Sequence, residues 1–340
     1  MFRAIQRWIY GGVMKALITG ITGFVGSHLA DYILANHRKV KIVGLVRWRS
    51  PKENIRHILN SLTLELGDLT DISSLRRILD LHKPEFIFHL AAQSYVDASF
   101  LYACSTLDTN VIGTCNLLEA IKELKLKSGY DPIVHICSSS EVYGQVRENE
   151  IPITEENIFR PASPYASSKV ATDVHAYQYW TSWGIKTIRT RMFTHTGPRR
   201  GEVFVESNFA KQIAAIEAGI QEPILQVGNL NSIRTFMDVR DAVRAYWLLV
   251  NHCTEGEVYN IGGDTTMTIG EMLKKLLALS LCCKAICVEV DSTRLRPSDV
   301  TLQIPSTEKF RKATSWKPEI YFDKTLKDIL NYWREYYVLR

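Results

Sequence analysis

Tyr165 and Lys169 are the residues of this chain best placed by type and spacing to move a proton. They stand four apart in Ser163-Pro-Tyr165-Ala-Ser-Ser-Lys169. The segment begins a helix, so that spacing sets both side chains on one face, a turn apart. A phenol with a pKa of about 10 is a poor base at neutral pH, but an adjacent ammonium favours the phenolate. Tyr-x-x-x-Lys is also what an ordinary helix surface carries, and it gains force from the motifs around it.

The first of these is Cys137-Ser138-Ser139-Ser140-Glu141-Val-Tyr143-Gly144, which closes an apolar strand pattern. In open parallel sheets ligands lie at that carboxyl edge. A serine there can hydrogen-bond a carbinol oxygen. Glu141 adds a carboxylate near a site that already has its base, which suggests a second proton transfer; the alternative is a solvated turn with a capping carboxylate.

The second is Gly20-Ile-Thr-Gly23-Phe24-Val25-Gly26, directly after the apolar run Ala16 to Thr19 and at the start of a helix. This is the setting of a dinucleotide-binding turn, where backbone approaches a pyrophosphate and the helix amides face the anion. The spacing is Gly-x-x-Gly-x-x-Gly, not Gly-x-Gly-x-x-Gly, and a plain tight turn is the alternative. With a dinucleotide bound, a cationic nicotinamide would further favour the phenolate, and Tyr165 could take a carbinol proton while hydride leaves for the ring. An NAD-binding unit usually places an acid about 20 residues past the loop. Here the second strand ends in Val46-Arg47-Trp48-Arg49-Ser50. Two cations and a hydroxyl suit a 2′-phosphate and favour NADP over NAD, unless they are simply solvated surface charges. Asp68 and Leu69 follow the third strand, where Asp68 could meet the adenine edge or cap the next helix. Ala91 and Ala92 follow the fourth and are small enough for the cofactor to cross the strand ends.

The elements that must position these residues alternate, as βαβ units do. Strands are predicted at Lys15 to Thr19, Val40 to Val46, Leu62 to Leu66, Phe86 to Leu90, Ile133 to Cys137 and Lys186 to Arg191. Helices are predicted near Val25 to Ala35, Ile72 to Leu81, Ser105 to Leu124 and Pro164 to Trp183, each supplying a right-handed crossover. The fold class is α/β: a Rossmann-type, doubly wound parallel sheet with a smaller C-terminal substrate lobe. Beyond Gly197 the alternation loosens into helices near Glu206 to Gly219, Val239 to Val250 and Ile269 to Ala278, with isolated strands Val258 to Ile261 and Ile286 to Val290. Residues 14–192 plus about 234–262 are expected to hold the cofactor. About 193–233 and 263–340 are expected to hold the substrate, and 1–13 form an extension.

The net charge of +5 is dispersed among acids and bases, unlike the runs that mark nucleic-acid or membrane partners. No segment approaches the roughly 20 apolar residues of a membrane span. Arg3, Gln6 and Arg7 interrupt the first apolar run too soon for a signal peptide. The seven cysteines, Cys104, Cys115, Cys137, Cys253, Cys282, Cys283 and Cys287, show no zinc spacing and read as buried thiols of a cytoplasmic protein, with no metal expected.

The glycine loop, the serine-rich strand end, Tyr165-x-x-x-Lys169 and Asn110-Val-Ile-Gly113-Thr114 together resemble the extended short-chain dehydrogenase/reductase family. More narrowly, His195-Thr-Gly-Pro-Arg199-Arg200-Gly201-Glu, Val227-Gly-Asn-Leu-Asn-Ser-Ile-Arg234, Arg296-Pro-Ser-Asp299 and Trp316-Lys-Pro resemble GDP-mannose and GDP-manno-heptose 4,6-dehydratases. The resemblance covers about Met14 to Trp333. It implies that Ser139, Glu141, Tyr165 and Lys169 are catalytic. It also implies that Arg234, Arg296 and Asp299 hold the nucleotide diphosphate and base, a sensible use of guanidinium forks. Gln93, Ser94, Thr194 and Asn208 fall on the substrate side. Arg199 and Arg200 match an arginine pair near the cofactor phosphates at a subunit contact. Three residues depart from the mannose enzymes: Ser139 replaces threonine, Thr194 asparagine and Asn208 lysine. The last two tilt the reading towards a non-mannose sugar.

The resemblance implies oxidation at C4 of a GDP-sugar by NADP, removal of the C5 proton by Glu141, loss of water from C6 and return of hydride to C6. A GDP-4-keto-6-deoxymannose reductase is the rival reading, and a non-catalytic dinucleotide-sensing scaffold is one of another class. Apolar faces on Ser105 to Leu124 and Pro164 to Trp183 are expected to pair across a two-fold axis in a homodimer or homotetramer.

Overall fold

The chain, in a computed structural model, is described at residues 13–282, 286–295 and 300–338. Short apolar runs form the strands β1 (Met14–Thr19), β2 (Val40–Val46), β3 (Leu62–Leu66), β4 (Phe86–His89), β5 (Ile133–Cys137) and β6 (Lys186–Met192). Later come β7 (His195–Thr196), β8 (Ile224–Val227), β9 (Ile233–Asp238), β10 (Val258–Ile261), β11 (Thr265–Thr268), β12 (Cys287–Val290) and β13 (Leu302–Gln303). Seven of them make one parallel sheet in the order β10-β6-β5-β4-β1-β2-β3. The order reverses between β1 and β4, the kind of switch point at whose strand carboxyl ends such sheets bind ligands.

Burial on both faces explains why these strands are nearly continuous apolar runs. Ile18, Ile42 and Phe88 pack under Ile33 of the helix Phe24–Asn36 and Val243 of Val239–His252. On the other face Leu17, Val43 and Ile87 meet Ile78 of Ile72–His82, Leu117 and Ile121 of Gly113–Ser128, and Ala176 and Tyr179 of Pro164–Trp183. Behind the last helix, buried Asp173 accepts from Arg189 Nη1 at 2.8 Å and Arg191 Nε at 2.9 Å.

After β6 the chain builds a second layer. β9 pairs with β11 antiparallel and with β13 and β7 in parallel, while β8 pairs with β12. The helices Val205–Glu217, Ile269–Ala278 and Phe322–Val338 close this lobe around Phe209, Leu225, Phe236, Met272, Leu326 and Trp333. Ser163 caps the helix Pro164–Trp183 by accepting from Ala166 N–H, with proline in its first turn and Gly184 left-handed at its end.

Three expectations change. The helix expected from Ser105 to Leu124 is Ala103–Leu107, a π-helical turn at Asp108–Ile112 and then Gly113–Ser128. Asp71, not Asp68, caps Ile72–His82 by accepting from Ser73 N–H. The thiols are not uniformly buried: Cys104 and Cys287 are exposed, the other described cysteines are partly buried, and none of these is paired. Cys283 lies outside the described residues. No described helix is long and apolar enough to cross a membrane, and no described cluster of His, Cys, Asp and Glu could hold a metal ion.

Candidate active site

The glycine loop forms a cradle that side chains would fill. Gly20 has φ +72° and Gly23 N–H donates to its carbonyl at 2.9 Å. A Cβ on Gly26 would stand 2.2 Å from Gly20 O, and one on Gly20 would stand 2.9 Å from the Ala91 backbone. Turn, helix and β4 end are therefore pressed together, with the amino end of Phe24–Asn36 and its Val25 beside the turn. This close approach of bare backbone to a helix start fits a dinucleotide pyrophosphate. Ala91 and Ala92 are half-buried beside it and Leu69 is buried. The carboxylate of Asp68 accepts from Thr70 N–H and Oγ1, an Asx turn. Arg47 is exposed at the end of β2, its backbone N–H donating to Ser50 Oγ at 3.1 Å, and the Arg49 guanidinium lies 4.2 Å over the Trp48 ring.

A polar chain runs from this cradle to the first turn of the helix that carries Tyr165. Thr19 Oγ1 accepts from the Leu90 and Ala91 N–H groups at 3.1 Å each, so its own hydrogen goes to His89 Nδ1 at 3.0 Å. His89 Nε2–H then donates to Thr114 Oγ1 at 2.9 Å, and Thr114 donates to the Asn110 carbonyl at 2.6 Å. Burial, with the Lys169 charge second, pushes His89 down to about 3, so the ring stays neutral. In the π-helical turn, Asn110 Oδ1 accepts from Gln93 N–H at 2.8 Å. Its Nδ2 donates to Gln93 O at 3.0 Å and to Ser168 Oγ at 2.9 Å. Ser168 donates on to the Tyr165 carbonyl at 2.6 Å. The π turn thereby holds the first turn of the Tyr165 helix to the end of β4.

Tyr165 and Lys169 are both buried. Lys169 Nζ donates to Cys137 O at 2.7 Å, and burial lowers its pKa. Burial raises the Tyr165 phenol above its ordinary value, against the Ser139 hydrogen bond and the Arg200 charge, which pull it down. Ser139 also accepts from Glu141 N–H at 3.2 Å as it caps the short helix Ser140–Tyr143. Ser140 donates to Gln303 Oε1 at 2.9 Å, and Gln303 Nε2 lies 3.5 Å from Glu141 Oε1. Gln303 is on β13, so the second lobe supports the Glu141 segment.

A cavity of about 670 Å³ joins these groups to the second lobe. Ser94, Ser139, Glu141, Tyr165, Thr194, Asn208 and Arg234 line it, which brings together most of the catalytic and substrate residues expected from sequence. Gln93 does not line it; its amide is used within the chain, by the Tyr95 backbone and Thr106 Oγ1. Arg199 has φ +70° and is turned to its own chain, donating to Asp31 Oδ2 at 2.7 Å and to the Asn54 carbonyl at 2.9 Å. Arg296 and Asp299 lie outside the described residues.

Sequence reasoning missed several cavity groups. Arg294 Nη1 donates to Asn208 Oδ1 at 2.8 Å and its Nε to Asp291 Oδ2 at 3.2 Å, which puts a cation on the cavity wall beside Asn208. Arg200, which the resemblance places with Arg199 near the cofactor phosphates, lines the cavity, its guanidinium 3.6 Å from the Phe204 ring centroid and 5.0 Å from that of Phe24. Glu206, 2% exposed, also lines the cavity. Gln303 is an isolated glutamine with no motif around it.

The family model described as GDP-mannose 4,6 dehydratase matches residues 17–329. GDP-mannose 4,6 dehydratase 2 of Arabidopsis thaliana is 34% identical over 323 residues, covering 92% of this chain and 84% of its own. GDP-6-deoxy-D-mannose reductase of Pseudomonas aeruginosa is 32% identical over 320 residues, covering 94% and 97%. The solved structure of RMD from Pseudomonas aeruginosa complexed with NADPH superposes with a TM-score of 0.80 at 32% identity, covering 95% of this chain and 99% of that one.

Proposed function

The chain belongs to the GDP-mannose 4,6-dehydratase family, and from that premise we propose that it is a nucleotide-sugar 4,6-dehydratase which converts a GDP-hexose or GDP-heptose, GDP-mannose or GDP-manno-heptose, to its 4-keto-6-deoxy form. The observation that carries this reading is that Glu141 lines the same cavity as Ser139 and Tyr165. A simple alcohol oxidation needs one proton acceptor; elimination of water needs a second.

Bound NADP supplies the hydride acceptor for C4 and the hydride donor for C6. Ser139 Oγ holds the C4 oxygen and Tyr165 Oη takes its proton. Lys169, anchored on the Cys137 carbonyl, provides the positive charge that favours the phenolate. Once C4 is a ketone, the C5 proton is acidic. Glu141 removes it and returns it to the C6 hydroxyl, which leaves as water. The proton that Tyr165 took from the C4 hydroxyl balances the one that C5 regains when C6 is reduced. The preference for NADP rests on Arg47 and Arg49 at a strand end without an acid and on the NADPH-bound relative. Arg234 and the Arg294–Asn208 pair supply the polar wall for the GDP moiety. Leu107 of Ala103–Leu107, Ile112 of the π-helical turn, and Val174 and Tyr177 of the neighbouring helix Pro164–Trp183, each roughly half exposed, support pairing of two subunits.

A second reading, reduction of a GDP-4-keto-6-deoxymannose, is favoured by the similarity to the Pseudomonas aeruginosa reductase. Mass spectrometry after incubation with GDP-mannose and GDP-manno-heptose separates them: a dehydratase removes one water from at least one sugar without net NADPH use. Stoichiometric NADPH oxidation by a 4-keto-6-deoxy sugar, with no water lost from either GDP-sugar, would make the protein a reductase.

A further inference from the structure

We propose that Gln303 is a positioning residue for the elimination step, its side-chain amide holding the Glu141 carboxylate where it meets the C5 proton, an inference that rests on the dehydratase reading above. Gln303 is 1% exposed on β13, in the second lobe, and lines the cavity with Ser139, Glu141 and Tyr165. A buried amide is costly unless both of its ends find partners. Its Oε1 accepts from the Ser140 hydroxyl at 2.9 Å, which fixes the way the amide points. The Nε2 end then faces Glu141 Oε1 at 3.5 Å. A carboxylate only accepts, so the donor end is the one that suits it. The contact is long, as hydrogen bonds to a base often are until substrate draws a site together.

Gln303 can hold a neighbour in place because its own strand is pinned from three sides. β13 pairs with β9, where Gln303 stands in register with Arg234, so one strand pair presents both the arginine expected at the diphosphate and the amide behind the base. Just before it, Thr301 N–H donates to Gln145 Oε1 at 3.0 Å and Thr301 Oγ1 accepts from Gln145 Nε2 at 2.8 Å. Just after it, the Ile304 carbonyl accepts from Ile153 N–H and Ser306 N–H donates to the Ile153 carbonyl, both at 2.8 Å. Gln145 and Ile153 follow closely on Glu141 in the chain, so strand and base share one frame. Glu141 itself rides on a helix of four residues, too short to be a rigid mount alone. Tyr165 and Lys169 are placed instead by a helix of 20 residues and the Cys137 carbonyl. Gln303 therefore serves the C5 deprotonation and not the C4 oxidation.

The test compares the two half-reactions in two variants. Gln303→Met keeps the length of the side chain and removes both ends of the amide. Gln303→Glu keeps an acceptor for Ser140 and turns the donor into a second carboxylate. Each NADP-loaded enzyme is mixed with whichever of GDP-mannose and GDP-manno-heptose the wild type dehydrates. In Gln303→Met, NADPH absorbance should build at within about threefold of the wild-type rate and persist, while kcat for 4-keto-6-deoxy product falls about tenfold, the scale of one hydrogen bond, with KM within about twofold. Gln303→Glu should lose more product than Gln303→Met, because a like charge then faces the base. Equal slowing or loss of both signals in either variant would make Gln303 structural, and a change in KM alone would place its amide on the substrate. Wild-type product formation by Gln303→Glu would leave only the Ser140 contact. Each of these outcomes overturns the inference while the dehydratase reading stands. Wild type that removes water from neither sugar would overturn that reading itself, and this inference with it.

Discussion

The Lys169 ammonium is hydrogen-bonded to the Cys137 carbonyl at 2.7 Å and stands 6.0 Å from the centroid of the Tyr165 ring. Lysine thus ties the helix Pro164–Trp183 to the end of β5, and in the proposed reaction it would act on tyrosine through its field, not by a direct hydrogen bond. Because burial holds the phenol above its ordinary pKa, the form able to accept a proton becomes more abundant as pH rises. The first prediction is that turnover climbs with pH on its acid side, and that Lys169→Met moves this limb to higher pH and lowers kcat by about 100-fold or more. Tyr165→Phe should have no rising limb because it has no phenol to ionise. An unchanged pH–rate profile in Lys169→Met would remove the electrostatic role.

The second prediction concerns the same helix from behind. Asp173 is fully buried and meets the guanidinium groups of Arg189 and Arg191. Asp173→Asn keeps the shape but strands two buried cations, and removing one member of a buried ion network costs about 3–5 kcal/mol. Denaturant unfolding should show a loss of that size. A loss below about 1 kcal/mol would mean that water or the Gly256 and Glu155 carbonyls, which already accept from these arginines, satisfy the charge.

The glycine turn and the Tyr165–Lys169 helix face were legible in the chain because their geometry depends on short spacings. Gly20, Gly23 and Gly26 share one turn, and Tyr165 and Lys169 share one helix face. The support for Glu141 was not legible, since Gln303 is 162 residues away and its role exists only after β13 joins β9. Arg294 reaches Asn208 across 86 residues, so a cation could not be assigned to that wall from local sequence. Asp68 and Asp71 both precede a helix, and the choice of cap falls to whichever backbone turn places a carboxylate on the Ser73 N–H. The helix Phe322–Val338 follows the same logic: its apolar stripe is meaningful only against Phe209 and Phe236 in the second lobe.

The third prediction is a loss of stability in mild acid that begins before carboxylates titrate. His89 and His135 are buried and held at about 3, in both cases first by burial. Their unfolded counterparts titrate at about 6.5. Since the folded values are depressed, the stability is fully present above the unfolded pKa and is lost as pH falls towards the folded one. Each should cost about 1 kcal/mol between pH of roughly 6.5 and 5.5, so unfolding midpoints should fall across that window. A flat midpoint there would show that the folded state finds acceptors for these rings in their protonated form.

The fourth prediction tests the cofactor preference. Arg47 is exposed at the end of β2, and its charge is useful chiefly if a 2′-phosphate comes within reach. Arg47→Glu should weaken NADPH binding by about tenfold, more at low than at high salt, while leaving NADH binding almost unchanged. Equal effects on both dinucleotides would assign the residue to the loop's structure instead.

The last prediction separates the two halves of the proposed reaction. Glu141 lines the cavity with Tyr165 yet is carried by a different element, the short helix after β5, with Gln303 behind it. Glu141→Gln keeps the size of the side chain and removes its basicity, while Ser139, Tyr165 and Lys169 remain able to handle the C4 proton. If Glu141 serves the elimination, one mixing event with substrate should still produce NADPH absorbance on the enzyme, with 4-keto-6-deoxy product reduced by about 100-fold or more. Tyr165→Phe should suppress both signals, because it removes the group that accepts the first proton. Loss of both signals in Glu141→Gln would place the carboxylate in the oxidation step. Near-normal product from that variant would leave Glu141 as a capping residue of the strand end and would move the balance to the reductase reading, which needs no second base.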